Sequence, residues 1–235
     1  GDRTSSLRML RSVKNRFGPT DDVACFEHDE DGLREVADPS YLFRKVHEQP
    51  VPGSCLTVTM EGRRPLLAEV QALVAMTGNP TVRRSATGLD VNRTTMLVTV
   101  TDKAGTLGLS SRDVYSATVG GARISDPGAD LAICLAVASA RMDAPLWADT
   151  VAIGEVTLSG DLRVVPGTAK RITEAARLGF KQVVIPADAG NHPDVVRAAE
   201  GLSVQPVHRL ADLMAAVLRA PRAEQPALRS VDAPF

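Results

Sequence analysis

Between Ala129 and Ala140 the chain is apolar almost without interruption, with Asp130 and Ser139 as the only polar residues. A helix with one apolar stripe can lie on a surface, but a helix apolar nearly all round must be packed on more than one side. The preceding Ser125-Asp126-Pro127 supplies an N-cap candidate and a proline at the first helical position, so the helix is expected to start there. The rest of the sequence therefore has to provide layers that enclose it.

Those layers read as an α/β pattern. Cys55–Met60 alternates and is rich in β-formers, Glu61-Gly62-Arg63-Arg64-Pro65 turns, and Leu66–Met76 continues as an extended or mixed apolar segment. Asp90–Asp102 is expected to be helical despite its β-branched residues. Asp113–Val119 reads as a strand closed by Gly120-Gly121. Val151–Val156 reads as a strand, Leu158-Ser159-Gly160-Asp161 as a turn and Leu162–Val165 as its continuation. Thr168 can cap a helix running to about Leu178 and stopped by Gly179. Gln182–Ile185 is a strand ended by Pro186, and a strand Val204–Val207 and a helix Leu210–Leu218 complete the pattern. The fold class is mixed α/β, built of β-hairpins and βαβ units.

The first stretch is organised differently. Ser6–Lys14 looks helical, Val23, Cys25 and Phe26 mark a strand, Asp31-Gly32 a hairpin turn, and Leu33–Val36 its return; Asp38-Pro39-Ser40 then starts a turn or short helix around Tyr41-Leu42-Phe43. Two short strands cannot bury a core of their own, so residues 1–48 are expected to be the end of another domain. Residues 49–53, Gln-Pro-Val-Pro-Gly, read as a linker, 54–219 as the main domain, and 220–235 as a poorly ordered tail.

Composition narrows the class. The 235 residues are 44% apolar with a formal net charge of −1, which suits a globular chain and gives no global signature of nucleic-acid binding. No apolar run approaches the roughly 20 residues needed to cross a bilayer, and the N-terminus lacks a secretion signal, so the expected location is the cytoplasm with no membrane partner. Cys25, Cys55 and Cys134 form no Cys-x-x-Cys pair, which argues against a disulfide framework or a four-thiolate zinc site. The four histidines, His28, His47, His192 and His208, have no metal-ligand spacing, and Trp147 beside Pro145 reads as a packing anchor.

Four stretches carry more specific information: Lys14-Asn15-Arg16-Phe17-Gly18, Thr87-Gly88-Leu89-Asp90-Val91-Asn92-Arg93, Val119-Gly120-Gly121-Ala122-Arg123-Ile124, and Gly154–Arg163. In this order they resemble the RadA/Sms family of bacterial DNA recombination and repair proteins. Within that family the chain is similar to the C-terminal portion: the end of a RecA-like ATPase core followed by a domain resembling the Lon protease fold. The resemblance implies an ATP-dependent motor that drives branch migration of recombination intermediates, with single-stranded or branched DNA and RecA as partners and self-association into a ring, hexameric by family resemblance. It implies ATP and Mg as cofactors of the full-length protein and zinc only in an N-terminal module outside this chain, with none bound by this chain alone. Lys14, Asn15, Arg16, Phe17 and Gly18 would then reach the nucleotide of a neighbouring protomer, where two cations stabilise charge on a transferring phosphoryl group. An extended segment would point Lys14 and Arg16 the same way.

The chain contains no Gly-x-x-x-x-Gly-Lys-[Ser/Thr] loop, so an ATPase activity of its own is not expected. The Lon resemblance also implies where a serine nucleophile and lysine base would stand. Gly128 occupies the serine position in Pro127-Gly128-Ala129-Asp130, and Ala169 the lysine position. Lys170 is one residue out of register, a rotation of about 100° on a helix. Ser125 and Lys170 are poor substitutes, so no catalytic residue is expected; a Lon-type peptidase and a purely structural oligomerisation module are the alternative readings. For DNA, the candidate contacts are Arg83, Arg84, Arg93, Arg123 and Arg163, acting on phosphates.

Overall fold

The computed structural model describes residues 7–11, 23–29, 32–35, 51–78, 81–147 and 149–219. The expected turn or helix around Tyr41-Leu42-Phe43 and the 220–235 tail lie outside the described residues.

Strands β1 (Leu7–Arg11), β2 (Val23–Asp29) and β3 (Gly32–Glu35) form a small antiparallel sheet with β2 at its centre. β2 and β3 are the expected hairpin, with Asp29 opposite Gly32 and Gly32 at φ +120°. β1 corrects an expectation, since Leu7–Arg11 is a strand and not part of a helix. Each of its residues stands opposite one of β2, from Leu7 opposite Glu27 to Arg11 opposite Val23. Five residues carry too little periodicity to separate the two forms, and ladder pairing decides.

From Ser54 onwards the chain alternates strands and helices. In order these are β4 (Ser54–Glu61), β5 (Arg64–Met76), β6 (Arg84–Thr87), α1 (Val91–Gly105), β7 (Arg112–Thr118), α2 (Asp130–Met142), β8 (Thr150–Ala152), β9 (Glu155–Val156), β10 (Leu162–Arg163), α3 (Thr168–Arg177), β11 (Gln182–Pro186), α4 (Ala187–Gly190), α5 (Pro193–Ala198), β12 (Ser203–Val207) and α6 (Leu210–Arg219). β9 and β10 pair with each other, and the rest form one seven-stranded sheet in the order β12-β11-β8-β4-β5-β7-β6. Every neighbouring pair in it is parallel except those made by β5, which is antiparallel to β4 and to β7. β5 alone therefore runs against the other strands, all of which end at the same edge of the sheet.

Helices cover both faces. On one, Leu97 and Val98 of α1, Leu131 and Leu135 of α2, and Leu213 and Met214 of α6 pack on Val70, Val114 and Val184 of the sheet. On the other, Ile172 and Ala175 of α3 and Val195 of α5 pack on Val58, Leu67, Val151, Ile153, Val183 and Ile185. Val183 and Ile185 thus enter one core and Val184 the other, as expected for a strand buried on both sides. Residues 130–139 of α2 are all buried, between the sheet and its neighbour helices. Ser139, one of the two polar residues in that buried stretch, accepts from the Gly53 N–H at 2.8 Å and donates to the Ala144 carbonyl at 2.6 Å. That bond ties the start of β4 to the last turns of the buried helix.

Other differences from expectation have local causes. Thr168 does not cap α3: the N-cap is Gly167 at φ +73°, and the Thr168 hydroxyl donates to the Val165 carbonyl. The expected Val151–Val156 strand breaks after Ala152: the Ile153 N–H still donates to Val184 of β11, but the Gly154 N–H leaves the ladder and donates to the Gly128 carbonyl. β6, α4 and α5 were not legible in the sequence.

Candidate functional site

Because all strands but β5 finish at one edge, three of the motif stretches come together there. Gly88–Arg93 follows β6, Val119–Ile124 follows β7, and Gly154–Arg163 follows β8. This edge is where open α/β sheets place their ligand sites. The first two stretches are strapped to each other where the Ile124 N–H donates to the Gly88 carbonyl at 2.8 Å and Leu89 bridges Ile124; within the second, the Thr118 hydroxyl donates to the Ala122 carbonyl. Gly88, at φ +74°, has no room for a side chain, since a Cβ there would stand 2.0 Å from Thr118 Oγ1 and 2.5 Å from the Ala122 oxygen.

The third stretch joins through Asp130. Asp90 caps α1 by accepting from the Arg93 N–H, and this sets Arg93 on the first turn facing α2. The Arg93 guanidinium grips Asp130 at both oxygens and reaches Glu155 Oε1 at 3.3 Å, while the Val156 N–H donates to Asp130 Oδ2 at 3.1 Å. Burial pushes the Asp130 carboxyl up, against the pull of Arg93 and the Val156 N–H. Hydrogen bonding to Asp130 holds Arg93 more firmly charged than an ordinary arginine.

Beside it lies a second, deeper ion pair. Asp126, the N-cap before Pro127, accepts from the Gly128 N–H at 2.9 Å, the Met60 N–H at 2.9 Å and the Thr59 hydroxyl at 3.1 Å. Arg171 of α3 meets both of its oxygens and also donates to the carbonyls of Val58 at 2.7 Å and Pro166 at 3.2 Å. Arg171 is only 1% exposed. Burial pushes the Asp126 carboxyl up, but the bonds from Arg171, Gly128 and Met60 outweigh this and hold it below the usual carboxylate value. Gly128 is buried at the foot of this pair; Ala169 packs partly buried against the α3 side of the core, and Ser125 and Lys170 are exposed. Arg171 carries no motif, and the sequence reading missed it. The signal was its place among Thr168, Ile172 and Ala175 on the buried face of α3.

The five candidate arginines divide. Arg84 donates to the carbonyls of Arg83, Leu109 and Arg112 and so holds a turn together, and Arg93 is occupied with Asp130 and Glu155. Both side chains thus have partners within the chain, and Arg93 is a third exposed. Arg83, Arg123 and Arg163 are exposed. Arg123 and Arg163 stand at the motif edge, whereas Arg83 stands at the opposite end, where β6 begins. Lys14, Asn15, Arg16, Phe17 and Gly18 lie outside the described residues.

Other groups are structural. Trp147 packs against the larger core, and His192 caps α5 through Nδ1. Cys55 and Cys134 are free and buried, and burial raises both thiols, Cys134 to about 12. Among the described residues no cluster could hold a metal ion, and no helix is long and apolar enough to cross a membrane.

Comparison with known proteins finds both a family match and close relatives. Residues 121–189 match the family described as subunit ChlI of Mg-chelatase. The chain is 48% identical over 204 residues to the DNA repair protein RadA of Mycolicibacterium smegmatis, covering 87% of this chain and 42% of that protein. It is 43% identical over 216 residues to RadA of Escherichia coli, covering 91% of this chain and 46% of that one. Against RadA of Bacillus subtilis it is 44% identical over 189 residues, 80% of this chain and 41% of that one. The chain spans a little under half the length of each. Identities of 43–48% over four-fifths or more of the chain place it: the chain belongs to the family of the proteins named DNA repair protein RadA, as a portion of such a protein.

Proposed function

We propose that this chain is the C-terminal portion of an ATP-dependent DNA branch-migration protein, and that residues 54–219 are its Lon-protease-like domain, serving as an oligomerisation and DNA-binding scaffold without peptidase activity. The observation that carries the reading is the convergence of three motif stretches at one sheet edge, with Arg123 and Arg163 exposed there. Two cations on a rigid rim suit the phosphate backbone of DNA, which needs fixed charge and no base-specific pocket. Two ion pairs behind the rim, Arg93–Asp130 and Arg171–Asp126, tie its elements together, the second of them buried at Arg171.

Residues 1–48 are the end of a RecA-like core in this reading, 49–53 a linker and 220–235 a tail. Lys14 and Arg16 place positive charge against the ATP and Mg bound by the next protomer of a hexameric ring in the cytoplasm, with RecA as a partner. ATP supplies the free energy of movement there; the part of this chain's residues is to hold the phosphates from across the seam. The peptidase alternative is disfavoured by the Gly128 pocket, which Arg171 fills.

The mass of the protein in solution, measured with and without single-stranded DNA, tests the scaffold. A multimer that gains mass with DNA is expected. A monomer with no change in either condition would overturn the proposal.

A further inference from the structure

The backbone at Gly128 lies outside the left-handed region, so its conformation does not call for glycine. What excludes a side chain is Arg171. A Cβ at position 128 would stand 2.6 Å from one terminal nitrogen of Arg171, 2.9 Å from its Cζ and 3.2 Å from Asp126 Oδ1. An arginine tip can normally swing away from such a contact. This one cannot move cheaply: both Asp126 oxygens and the carbonyls of Val58 and Pro166 hold it, and it is buried. Turning it out would leave the Asp126 carboxylate paired only by neutral donors and two carbonyls without their donor.

We propose that Arg171 is a plug that keeps a vacated nucleophile site shut. It is a third determinant of the missing peptidase chemistry, beyond Gly128 and Ala169. The guanidinium fills the volume a serine side chain would need, and it engages Asp126, which caps the single turn Pro127–Ala129 leading into α2 and already takes the Gly128 N–H that an oxyanion would otherwise use. The pocket has become a clamp joining β4, the entry to α2 and the first turn of α3. Calling the site vacated rests on the Lon-like reading above; the steric exclusion rests on the geometry alone.

The test compares a closed background, the native protein, with an opened one carrying Arg171→Met and Asp126→Asn, which removes both charges together. Gly128→Ala should lower Tm by roughly 5 °C in the closed background and by no more than about 1 °C in the opened one. Equal losses in the two would overturn the plug. If the opened background does not fold, Arg171→Lys replaces it, since lysine keeps a charge for Asp126 without the planar fork beside Gly128. The same comparison of losses then decides.

A second readout goes beyond stability. Gly128→Ser with Ala169→Lys is placed in each background and exposed to a fluorophosphonate probe. In labelling, the introduced hydroxyl oxygen bonds to phosphorus, the P–F bond breaks, fluoride leaves, and the hydroxyl proton passes to the introduced amine. Labelling is expected only in the opened background. Labelling in the closed background would overturn the plug. Labelling in neither would overturn the Lon-like assignment of positions 128 and 169, while the Tm comparison independently decides the plug.

Discussion

Arg93 and Asp130 meet through two parallel hydrogen bonds, with Arg93 Nε 2.7 Å from Asp130 Oδ1 and the terminal nitrogen on Oδ2. The pair joins the first turn of α1 to the first turn of α2, with one partner a third exposed and the other almost wholly buried, at 34% and 1%. Truncating the arginine leaves a buried carboxylate without its cation. Arg93→Ala should cost about 3–5 kcal/mol of unfolding free energy. Asp130→Asn should cost less, because its neutral amide still fills the site. Denaturant melts of the two variants check the order.

Gly88 is under a different constraint. Gly88→Ala should destabilise by about 3 kcal/mol, since it combines a left-handed backbone with a clash. Adding Thr118→Ala should not restore stability, because the Ala122 carbonyl still stands 2.5 Å from the new methyl. Full recovery in that double variant would show that Thr118 alone sets the limit.

The Asp126–Arg171 pair should appear in the acid limb of stability. The native Asp126 carboxyl lies below its ordinary 3.8, so its contribution is present above about pH 3.8 and is lost as pH falls through the lowered native value. Unfolding free energy measured from pH 6 down to pH 3 should therefore fall more gently in Asp126→Asn than in the native protein, from a lower starting value.

For DNA, the two ends of the sheet make opposite predictions. Arg123→Ala and Arg163→Ala should each weaken single-stranded DNA binding about fivefold, roughly 1 kcal/mol. Each should also reduce the log–log salt slope by about 0.7. Arg83→Ala, at the far end, should change neither. Fluorescence anisotropy across several salt concentrations gives all three slopes, and an effect of Arg83→Ala equal to the others would remove the motif edge as the DNA surface.

If Arg16 acts on a neighbouring protomer's nucleotide as proposed, Arg16→Ala in a full-length RadA protein carrying this segment should lower DNA-dependent ATP hydrolysis about a hundredfold without unfolding the protein. Mixing it with protomers that keep Arg16 but have an inactive phosphate loop should restore hydrolysis where the intact halves meet. Mixed rings with no recovery at any ratio would place the arginine's role elsewhere.

Most of the core was legible because its signals are strong and local. The apolar run after Asp126-Pro127 gave α2, Asp90 gave the start of α1, and Gly179 and Pro186 bounded α3 and β11. β6 was not, because Arg-Ser-Ala-Thr is short and polar and becomes a strand only by pairing with β7. α4 and α5, four and six residues long, are too short for a period to show. The site was legible in part. Glycine at 128 suggested a missing nucleophile, but a buried arginine in Thr-Ala-Lys-Arg-Ile-Thr looks like any solvated helix charge until the partner 45 residues away is known. The partners of Arg84 and Arg93 were hidden for the same reason: they are distant in sequence.

The bond between Gly53 and Ser139 bears on how this domain carries load. β4 begins at that bond and runs towards the edge that holds Arg123 and Arg163, so a pull between the chain before Gly53 and a ligand held at that edge acts along the strands. The rungs between β4, β5 and β8 then share the tension in shear, where all must yield together, and are not peeled one at a time. Ser139 passes the remaining strain into α2, whose residues 130–139 are all buried, which makes the entry point of β4 a mechanically stiff attachment.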